Sequence, residues 1–319
     1  MAGIDIAIIL AFIAYSVWSG FSNKDKASKD LTEYFLAGRS LPGWKAGLSM
    51  AATQFAADTP LLVTGIIAVS GIFALWQMWI YALAFLMMGF VLASHWRRAN
   101  VITDAELTEI RYGGGRALAL RGFKAVYFGT IFNCVVLAWV FFAASRIAEP
   151  FLPWNEWLPA WAFGPFVSLI KAVGINLSSA MAGTDAAFVL SANNLISVLS
   201  ILLVTTFYSA TGGLRSVVET DVMQVFIMLG ATLIFAGIVF VKAGGISGIH
   251  AGLKEIYAAG ALGGIKPSEI LAFTPGQAYN VTFPLLALFA LQWIIQLNSD
   301  GTGYLAQRSM ACKDEKHAK

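Results

Sequence analysis

Residues 49–65 read SMAATQFAADTPLLVTG, and they interrupt a long apolar segment with an amide, a carboxylate and a proline, Gln54, Asp58 and Pro60. Proline lacks an N–H and its ring crowds the carbonyl four residues earlier, so a helix containing Pro60 is expected to kink or break just before it. Carbonyls freed at membrane depth must be buried in protein or line a cavity, and carbonyl oxygens are ligands for alkali cations. The stretch therefore predicts a broken helix with a binding site. A kinked structural helix whose polar side chains bond to neighbours is the alternative.

The composition indicates a membrane protein. Of the 319 residues, 58% are hydrophobic and 12% are charged, whereas soluble domains carry about 25% charged residues. Roughly twenty apolar residues cross the ~30 Å hydrocarbon layer as a helix. We therefore predict an all-α polytopic membrane protein of the cell (inner or plasma) membrane, with a single transmembrane domain over residues 1–319 and spans at about 4–20, 43–70, 72–96, 122–147, 187–210, 221–242 and 282–306.

Basic residues predict the topology. Most of the 21 lysines and arginines follow the first, third and last of these spans. The positive-inside rule then places those loops in the cytoplasm and the N-terminus outside. Because topology accounts for the basic residues, no nucleic-acid partner is expected.

A second apolar segment is also interrupted by polar residues. Residues 291–308 read LQWIIQLNSDGTGYLAQR, with Asn298, Ser299 and paired glycines inside the run. Glycine lets the backbone unwind at little steric cost. Two interrupted spans in corresponding positions of two halves point to the binding site of a secondary transporter. The alternative is that this span ends near Leu297 and a loop follows.

Other polar positions have structural interpretations. YSATGGLRS (208–216) predicts a tight cytoplasmic corner, and Asp221 is expected to cap the following helix. Asn133, Asn193 and Asn194 are predicted to form interhelical hydrogen bonds. The external residues 148–186, rich in Trp and Pro, predict a surface-lying or re-entrant segment that caps the bundle, with an external lid as the alternative.

Motifs of catalysis are missing from the sequence. It contains no HExxH motif and no Cys/His cluster, and Gly113–Gly115 lack the GK[ST] of a phosphate loop. An intramembrane enzyme is therefore disfavoured, and we predict that the chain is not an enzyme.

Four motifs carry a family resemblance. They are YFLAGRSLPGW (34–44), YSATGGLRS (208–216), TDVMQ (220–224) and YLAQRSMACKD (304–314). With them the chain resembles the N-terminal part of a sodium:solute symporter, the family of bacterial sugar, proline and pantothenate symporters and of the mammalian sodium–glucose transporters. The resemblance implies the LeuT-type fold of two inverted five-helix repeats behind a peripheral helix. This chain would hold the peripheral helix, the first repeat and the first helix of the second.

The resemblance also implies site residues. Backbone carbonyls of Ala52 and Phe55 would bind Na+, and the side chain of Gln54 would face the solute. The second broken helix would contribute Asn298 and Ser299, and Asp221 matches an acidic residue on the inward sodium route. Asp58 follows Gln54 by one helical turn, so both are expected to face one cavity and to bind substrate.

The predicted function is sodium-coupled symport of a small organic solute, such as a sugar or an amino acid. Sodium, solute and membrane lipid are the expected partners, and proton coupling through Asp58 stays open. Family members are about twice as long, so this chain is interpreted as their N-terminal part and is expected to need a missing C-terminal half for coupled transport. The alternatives are a membrane sensor domain of a signalling protein and a non-transporting fragment.

Overall fold

The protein is helical throughout the part that the structure describes. A computed structural model describes residues 3–258, 265–296 and 303–319, in which the only extended pairing is an isolated bridge. In chain order the helices are α1 (Gly3–Ala27), α2 (Leu31–Leu36), α3 (Gly43–Gln54), α4 (Asp58–Ser70), α5 (Ile72–Ala99), α6 (Asp104–Tyr112), α7 (Gly114–Ala148), α8 (Trp154–Trp157), α9 (Ala160–Val173), α10 (Asp185–Lys242), α11 (Gly245–Ala258), α12 (Pro267–Ile270), α13 (Phe283–Gln296), α14 (Gly303–Met310) and α15 (Glu315–Ala318).

Several helices are long and apolar enough to cross a membrane. They are α1, α5, α7 and α10, and the pair α3 and α4 forms one further candidate span with a bend of 56°. Helix α10 has 58 residues, which is enough for two spans of roughly twenty residues each. The predicted spans at 187–210 and 221–242 both lie on this helix, and the described part of the predicted last span is α13.

Gly213 interrupts α10. Its backbone angles, φ 59° and ψ −157°, are outside the helical region, and the helix resumes at Leu214. A Cβ on Gly213 would lie 2.7 Å from the carbonyl oxygen of Tyr34, so only glycine fits without a shift. The prediction that Asp221 caps the following helix is wrong, because the helix restarts seven residues earlier and Asp221 lies inside it.

The chain divides into two compact units, which are described separately. Unit 1 comprises Met1–Gly38, Phe55–Asp58 and Ala105–Thr220, and unit 2 comprises Arg39–Gln54, Thr59–Asp104 and Asp221–Lys319. In unit 1, a hydrophobic cluster joins α9 to the first part of α10 through the side chains of Phe163, Ile170, Ala192 and Ile196.

Polar contacts fasten residues 149–177 of unit 1 to α10. Asn194 donates to Glu149 at 2.7 Å and to the carbonyl of Leu177 at 2.9 Å. Asn193 and Asn155 exchange hydrogen bonds at 2.7 and 2.9 Å. The structural role predicted for these two asparagines of α10 is therefore confirmed, whereas Asn133 is exposed on α7 and its side chain forms no hydrogen bond with the described residues.

The inner part of unit 1 packs α1 against the corner around Gly213. Gly20 lies so close to α10 that an added Cβ would be 2.7 Å from Thr211 Oγ1. Further along, Ser19 and Asn23 both donate to Glu219 Oε2 at 2.8 Å. The peripheral helix is thus held on α10 by close backbone packing and by hydrogen bonds to one carboxylate.

Arg215, just past the corner, holds α2. It donates to Glu33 at 3.1 Å and to the carbonyl of Ala37 at 2.8 Å. The hydroxyl of Tyr34 donates in turn to the carbonyl of Ala210 at 3.3 Å. The beginning of the motif YFLAGRSLPGW, at Tyr34 and Ala37, therefore contacts the motif YSATGGLRS within unit 1.

Candidate functional site

The predicted broken helix is broken before Pro60, as expected. Helix α3 ends at Gln54 and α4 begins at Asp58, so residues 55–57 form the break. Pro60 is the third residue of α4, in the first turn, where its missing N–H leaves no intrahelical hydrogen bond unmade. The last four carbonyls of an α-helix also have no intrahelical partner. Ala52 lies in that last turn of α3, and Phe55 lies in the break itself.

Asp58 is fixed by the start of its own helix and by a tryptophan. As the first residue of α4 it lies at the positive end of the helix dipole. Its Oδ2 accepts a hydrogen bond of 2.9 Å from the indole Nε1 of Trp139, on α7. The expectation that Asp58 and Gln54 share one helical face loses its basis, because the helix is interrupted between them.

A buried ion pair lies in unit 2 beside α3. Ser49 Oγ donates to Asp221 Oδ2 at 2.5 Å and accepts from Arg308 Nε at 3.1 Å. A terminal guanidinium nitrogen of Arg308 also donates to Asp221 Oδ2 at 3.4 Å. The three residues are 0%, 8% and 6% exposed for Ser49, Asp221 and Arg308. Three helices, α3, α10 and α14, thereby share one charge-paired centre.

The segment after α14 pairs with the GRSLP motif. Leu41 N–H donates to the carbonyl of Ala311 at 3.1 Å, and Lys313 N–H donates to the carbonyl of Leu41 at 3.0 Å. Arg97, near the end of α5, donates to the carbonyls of Cys312 and Lys313 at 2.6 and 3.0 Å. These contacts, which we call the clasp, join the start of α3 to the end of α5 and to residues 311–313.

A charged contact and a buried thiol complete the clasp. Arg98 pairs with Glu315 at 2.5 Å on the exposed surface. The side chain of Cys312 is 1% exposed, and burial raises the pKa of its thiol to about 11. The thiol is therefore protonated and weakly reactive at neutral pH.

A cavity of about 350 Å³ lies in unit 2 between α4, the start of α5 and α13. Pockets for small molecules have volumes of about 300–1,000 Å³. Among the residues that the structure describes, the lining side chains are neutral: Leu62, Ile66, Gln77, Met78, Ile80, Tyr81, Gln292 and Ile295. Two amides and a phenol thus provide the hydrogen-bonding groups of a largely apolar cavity.

Three tryptophans are sequence neighbours of these lining residues, and their rings stack. Trp76 stacks on Trp79 with ring centroids 4.6 Å apart, and Trp79 stacks on Trp293 at 6.0 Å. The indole of Trp293 donates to the carbonyl of Trp76 at 3.1 Å, which joins α13 to the start of α5. This stack fixes the backbone that carries Gln77 and Gln292.

A comparison with protein families decides the classification. The family model described as "SSF: Sodium:solute symporter family" matches residues 34–174 and 165–319. The chain belongs to this family. The match includes the clasp, the broken helix and the buried ion pair.

Curated members of the family are similar at low identity. The chain is 27% identical over 246 residues to solute carrier family 5 member 4B of Mus musculus, covering 76% of this chain and 30% of that protein. It is 26% identical over 250 residues to sodium/glucose cotransporter 2 of Rattus norvegicus, covering 77% and 31%. For the sodium/glucose cotransporter of Vibrio parahaemolyticus the identity is 24% over 323 residues, covering 99% and 50%. The chain thus spans between about a third and a half of these relatives.

A solved structure shows the same fold. It is a substrate-bound, outward-open state of a Na+-coupled sialic acid symporter, matched with a TM-score of 0.63 and 21% identity over 99% of this chain and 55% of that one. The protein therefore has the LeuT-type fold over this part of the symporter. It is a multi-pass protein of the cell membrane.

The structure locates the predicted site residues in different places. Ala52, Gln54 and Asp221 are in unit 2, whereas Phe55 and Asp58 are in unit 1. Gln54 is not among the residues that line the cavity. Asn298 and Ser299 lie outside the described residues, and the roles proposed for all seven residues stay predictions.

Sequence reasoning missed the partners of two of these residues. It did not identify Ser49 and Arg308 as contacts of Asp221, nor Trp139 as a contact of Asp58. An arginine directly after an apolar segment was a signal for Arg308, since a buried charge requires a partner of opposite sign.

Proposed function

We propose that this chain forms the N-terminal part of a sodium-coupled symporter for a small, uncharged organic solute. The broken helix carries the proposal: α3 and α4 are bent by 56° at residues 55–57, in a chain that belongs to the sodium:solute symporter family. The relatives are sodium/glucose cotransporters, and the structural neighbour is Na+-coupled.

Sodium would be held by backbone oxygens at the break. Carbonyls at the end of α3 and in residues 55–57, those of Ala52 and Phe55 among them, are the hard neutral ligands that suit an alkali cation. Binding there would fix the relative orientation of α3 and α4. By linkage, sodium would then favour solute binding, and solute would favour sodium binding to the same extent.

The lining of the cavity between α4, α5 and α13 supports the proposal that the solute is uncharged. A charged solute in a largely apolar site needs a partner of opposite charge, whereas Gln77, Tyr81 and Gln292 offer only neutral donors and acceptors. A polyhydroxylated solute such as a sugar suits two amides and a phenol set against apolar walls.

The whole transport cycle is proposed for this chain together with the remaining helices that its relatives carry, whether these belong to the same polypeptide or to another. In this view the chain supplies the broken helix and one wall of the solute site. Lipid surrounds the exposed apolar faces of helices such as α7.

Solute binding with and without sodium tests the proposal. The purified chain would be screened by thermal shift against neutral sugars, amino acids and carboxylic acids, in sodium chloride and in choline chloride at equal ionic strength. We expect stabilisation by a neutral hydroxylated solute that is stronger in sodium. Equal stabilisation in both salts would contradict coupling and would favour the sensor interpretation.

A variant of a lining residue tests whether the solute binds in the cavity. Gln292→Leu keeps the size of the side chain but removes both hydrogen-bonding groups, so the solute should bind about tenfold or more weakly. Leu291→Gln on the same helix, at an exposed position, is the control and should leave solute affinity unchanged.

A further inference from the structure

Helix α7 is longer than a membrane crossing requires. It has 35 residues, whereas about 20 residues cross the hydrocarbon layer. Residues 127–145 of this helix contain no charged side chain, so this is the part that crosses. The first turns of α7, from Gly114 to Val126, therefore extend beyond the hydrocarbon at one membrane surface. The positive-inside rule predicts that this surface is cytoplasmic.

These first turns belong to a basic segment, residues 110–126, that begins at the end of α6. The segment reads IRYGGGRALALRGFKAV, with four basic residues and no acidic one. Arg121 pairs with Glu109 across the turn at Gly113 and Gly114, which both have positive φ. One carboxylate thus offsets one of the four positive charges and ties the start of α7 to α6. The segment keeps a net positive charge.

Apolar and basic side chains share one face of the basic segment. Arg116, Leu120, Phe123, Lys124 and Tyr127 follow at intervals that place them on one side of the helix. Leu120 and Phe123 are 45% and 67% exposed, and the ring of Phe123 stacks on that of Tyr127 with centroids 6.0 Å apart. The face is therefore continuous with the part of α7 that crosses the membrane.

A face of this kind suits the boundary between lipid headgroups and acyl chains. Exposed leucine and phenylalanine side chains are unfavourable in water. In interfacial helices they lie below the headgroups, while lysines and arginines reach outward to the headgroup layer. The cytoplasmic leaflet contains anionic lipids that attract basic segments next to a transmembrane helix. Arginine also matches the geometry of a phosphate group with two parallel hydrogen bonds.

We propose that the basic segment is a docking surface for anionic phospholipids. Arg116 and Lys124 would contact the lipid phosphate, and Leu120 and Phe123 would contact the first methylenes of the acyl chains. Lipid bound in this way holds the start of α7 at the membrane surface. The inference rests on the charge and exposure of this face and is independent of the solute and the ion that the chain binds.

The test measures how anionic lipid changes the stability of the whole chain. The purified chain in a neutral detergent would be titrated with phosphatidylglycerol and, separately, with phosphatidylcholine, and its melting temperature recorded at each concentration. A ligand that binds the folded state raises the melting temperature, so phosphatidylglycerol should stabilise the wild type at a lower concentration than phosphatidylcholine. This preference should shrink at high ionic strength, because salt screens exposed charges.

Variants of the exposed face test whether the lipid preference comes from the basic segment. In Arg116→Gln/Lys124→Gln, the half-maximal concentration of phosphatidylglycerol should rise about tenfold or more, because two attractions to the phosphate are lost. Arg116→Lys keeps the charge and should stay close to the wild type. Lys24→Gln/Lys26→Gln, in the last turn of α1 and in the same unit, removes equal charge elsewhere and is the control.

Inorganic phosphate separates a lipid from a free anion. At equal ionic strength phosphate should not stabilise the wild type, because it offers no acyl chain to Leu120 and Phe123. Leu120→Ser/Phe123→Ser should weaken the binding of phosphatidylglycerol although all four basic residues of the segment remain. Stabilisation by phosphate as strong as that by phosphatidylglycerol would overturn the assignment to lipid.

Three further results would overturn the inference. One is a wild type that phosphatidylglycerol and phosphatidylcholine stabilise equally. Another is an R116Q/K124Q variant whose response to phosphatidylglycerol equals that of the wild type. If that variant does not fold, R116Q at its exposed position provides the same comparison. The third is a K24Q/K26Q control that loses as much lipid affinity as R116Q/K124Q, which would reduce the effect to net charge.

Discussion

Leu41 and Cys312 form a parallel β-bridge, although 270 residues separate them in the sequence. The bridge is flanked by two main-chain hydrogen bonds of Leu41, one to Ala311 and one from Lys313. Both side chains are buried, at 4% and 1% exposed. The bridge joins the segment before α3 to the segment after α14 through main-chain hydrogen bonds.

A disulfide across this bridge is the first prediction. Paired strands lie about 4.8 Å apart, within the Cα separation of about 4.4–6.8 Å that a disulfide spans. Leu41→Cys in a Cys134→Ser background should therefore cross-link to Cys312 under mild oxidation. Mass spectrometry of the digested protein would detect the linked peptides. Ser40→Cys in the same background is the control, and efficient linkage from position 40 rather than 41 would contradict the register of the bridge.

The second prediction concerns the pH dependence of Cys312. Burial raises the pKa of its thiol to about 11 from an ordinary 9.0. The folded state thus favours the protonated thiol, and this contribution to stability is complete below pH 9 and is lost as the pH rises through about 11. The melting temperature of C134S should fall over that range more than that of C134S/C312S. Rapid maleimide labelling of Cys312 in folded C134S at pH 7 would contradict its burial.

Gly213 provides the third prediction. Gly213→Ala places a Cβ 2.7 Å from the carbonyl of Tyr34 at a φ of +59°, and should destabilise the protein by about 1–3 kcal/mol. Gly230 lies on the same helix, and a Cβ there has nothing within 4 Å. Gly230→Ala is therefore the control and should be neutral or slightly stabilising. Equal melting temperatures for the two variants would count against the break at Gly213.

The hydrogen bonds of Glu149 in unit 1 give the fourth prediction. Burial alone would raise the pKa of Glu149, but hydrogen bonds from Ser179 and Asn194 outweigh it and hold this pKa below its usual value. The carboxylate thus contributes stability above its ordinary pKa of about 4.5, and this is lost as the pH falls through the lower folded value.

Asn194→Ala removes two hydrogen bonds to buried acceptors and should cost about 1–3 kcal/mol at pH 7. It should also weaken the acid dependence that Glu149 confers. Asn133→Ala, at an exposed position of α7, is the control. Thermal unfolding at pH 4 and pH 7 would measure both effects, and a loss for N133A as large as that for N194A would argue against the network.

The fifth prediction separates two roles of Asp58. If Asp58 binds solute or cation, Asp58→Asn should weaken that binding about tenfold, because the amide carries no charge. Trp139→Phe removes only the indole hydrogen bond at 2.9 Å and should reduce stability by about 0.5–1.5 kcal/mol with little change in affinity. Isothermal titration calorimetry with the solute in sodium chloride would distinguish the binding role from the structural role. Unchanged affinity in D58N would assign Asp58 to the structure of the break.

The sequence predicted the break before Pro60, but not the residue at which the second helix starts. A proline ring clashes with the carbonyl four residues earlier, so Pro60 is incompatible with a regular helix that includes Ala56. This rule depends on local sequence alone. It does not decide between a kink at that carbonyl and a new helix that starts two residues before the proline, as at Asp58. The choice depends on tertiary contacts such as the one with Trp139, which lies 81 residues away.

Rules based on local sequence likewise do not predict long-range charge pairing. The glycines before Asp221 predict a turn followed by a helix that starts at Asp221. In the structure a single residue with positive φ, Gly213, makes the corner, and the helix resumes at Leu214. The partners of Asp221 are 172 and 87 residues away in sequence, at Ser49 and Arg308. Nothing in the local pattern encodes which basic residue reaches a buried carboxylate. The asparagines at 193 and 194 were correctly assigned because the preference of buried amides for hydrogen-bonded partners holds regardless of the partner.

Residues 154–177 of unit 1 offer a practical use. Trp154 bonds to Ser197, Asn155 to Asn193 and Leu177 to Ser191, so contacts recur along successive turns of α10. Because residues 154–177 are hydrogen-bonded to α10 at several turns, they keep a fixed orientation relative to that helix. An antibody fragment raised against residues 154–177 would therefore serve as a rigid fiducial for electron cryomicroscopy of this 34.3 kDa chain.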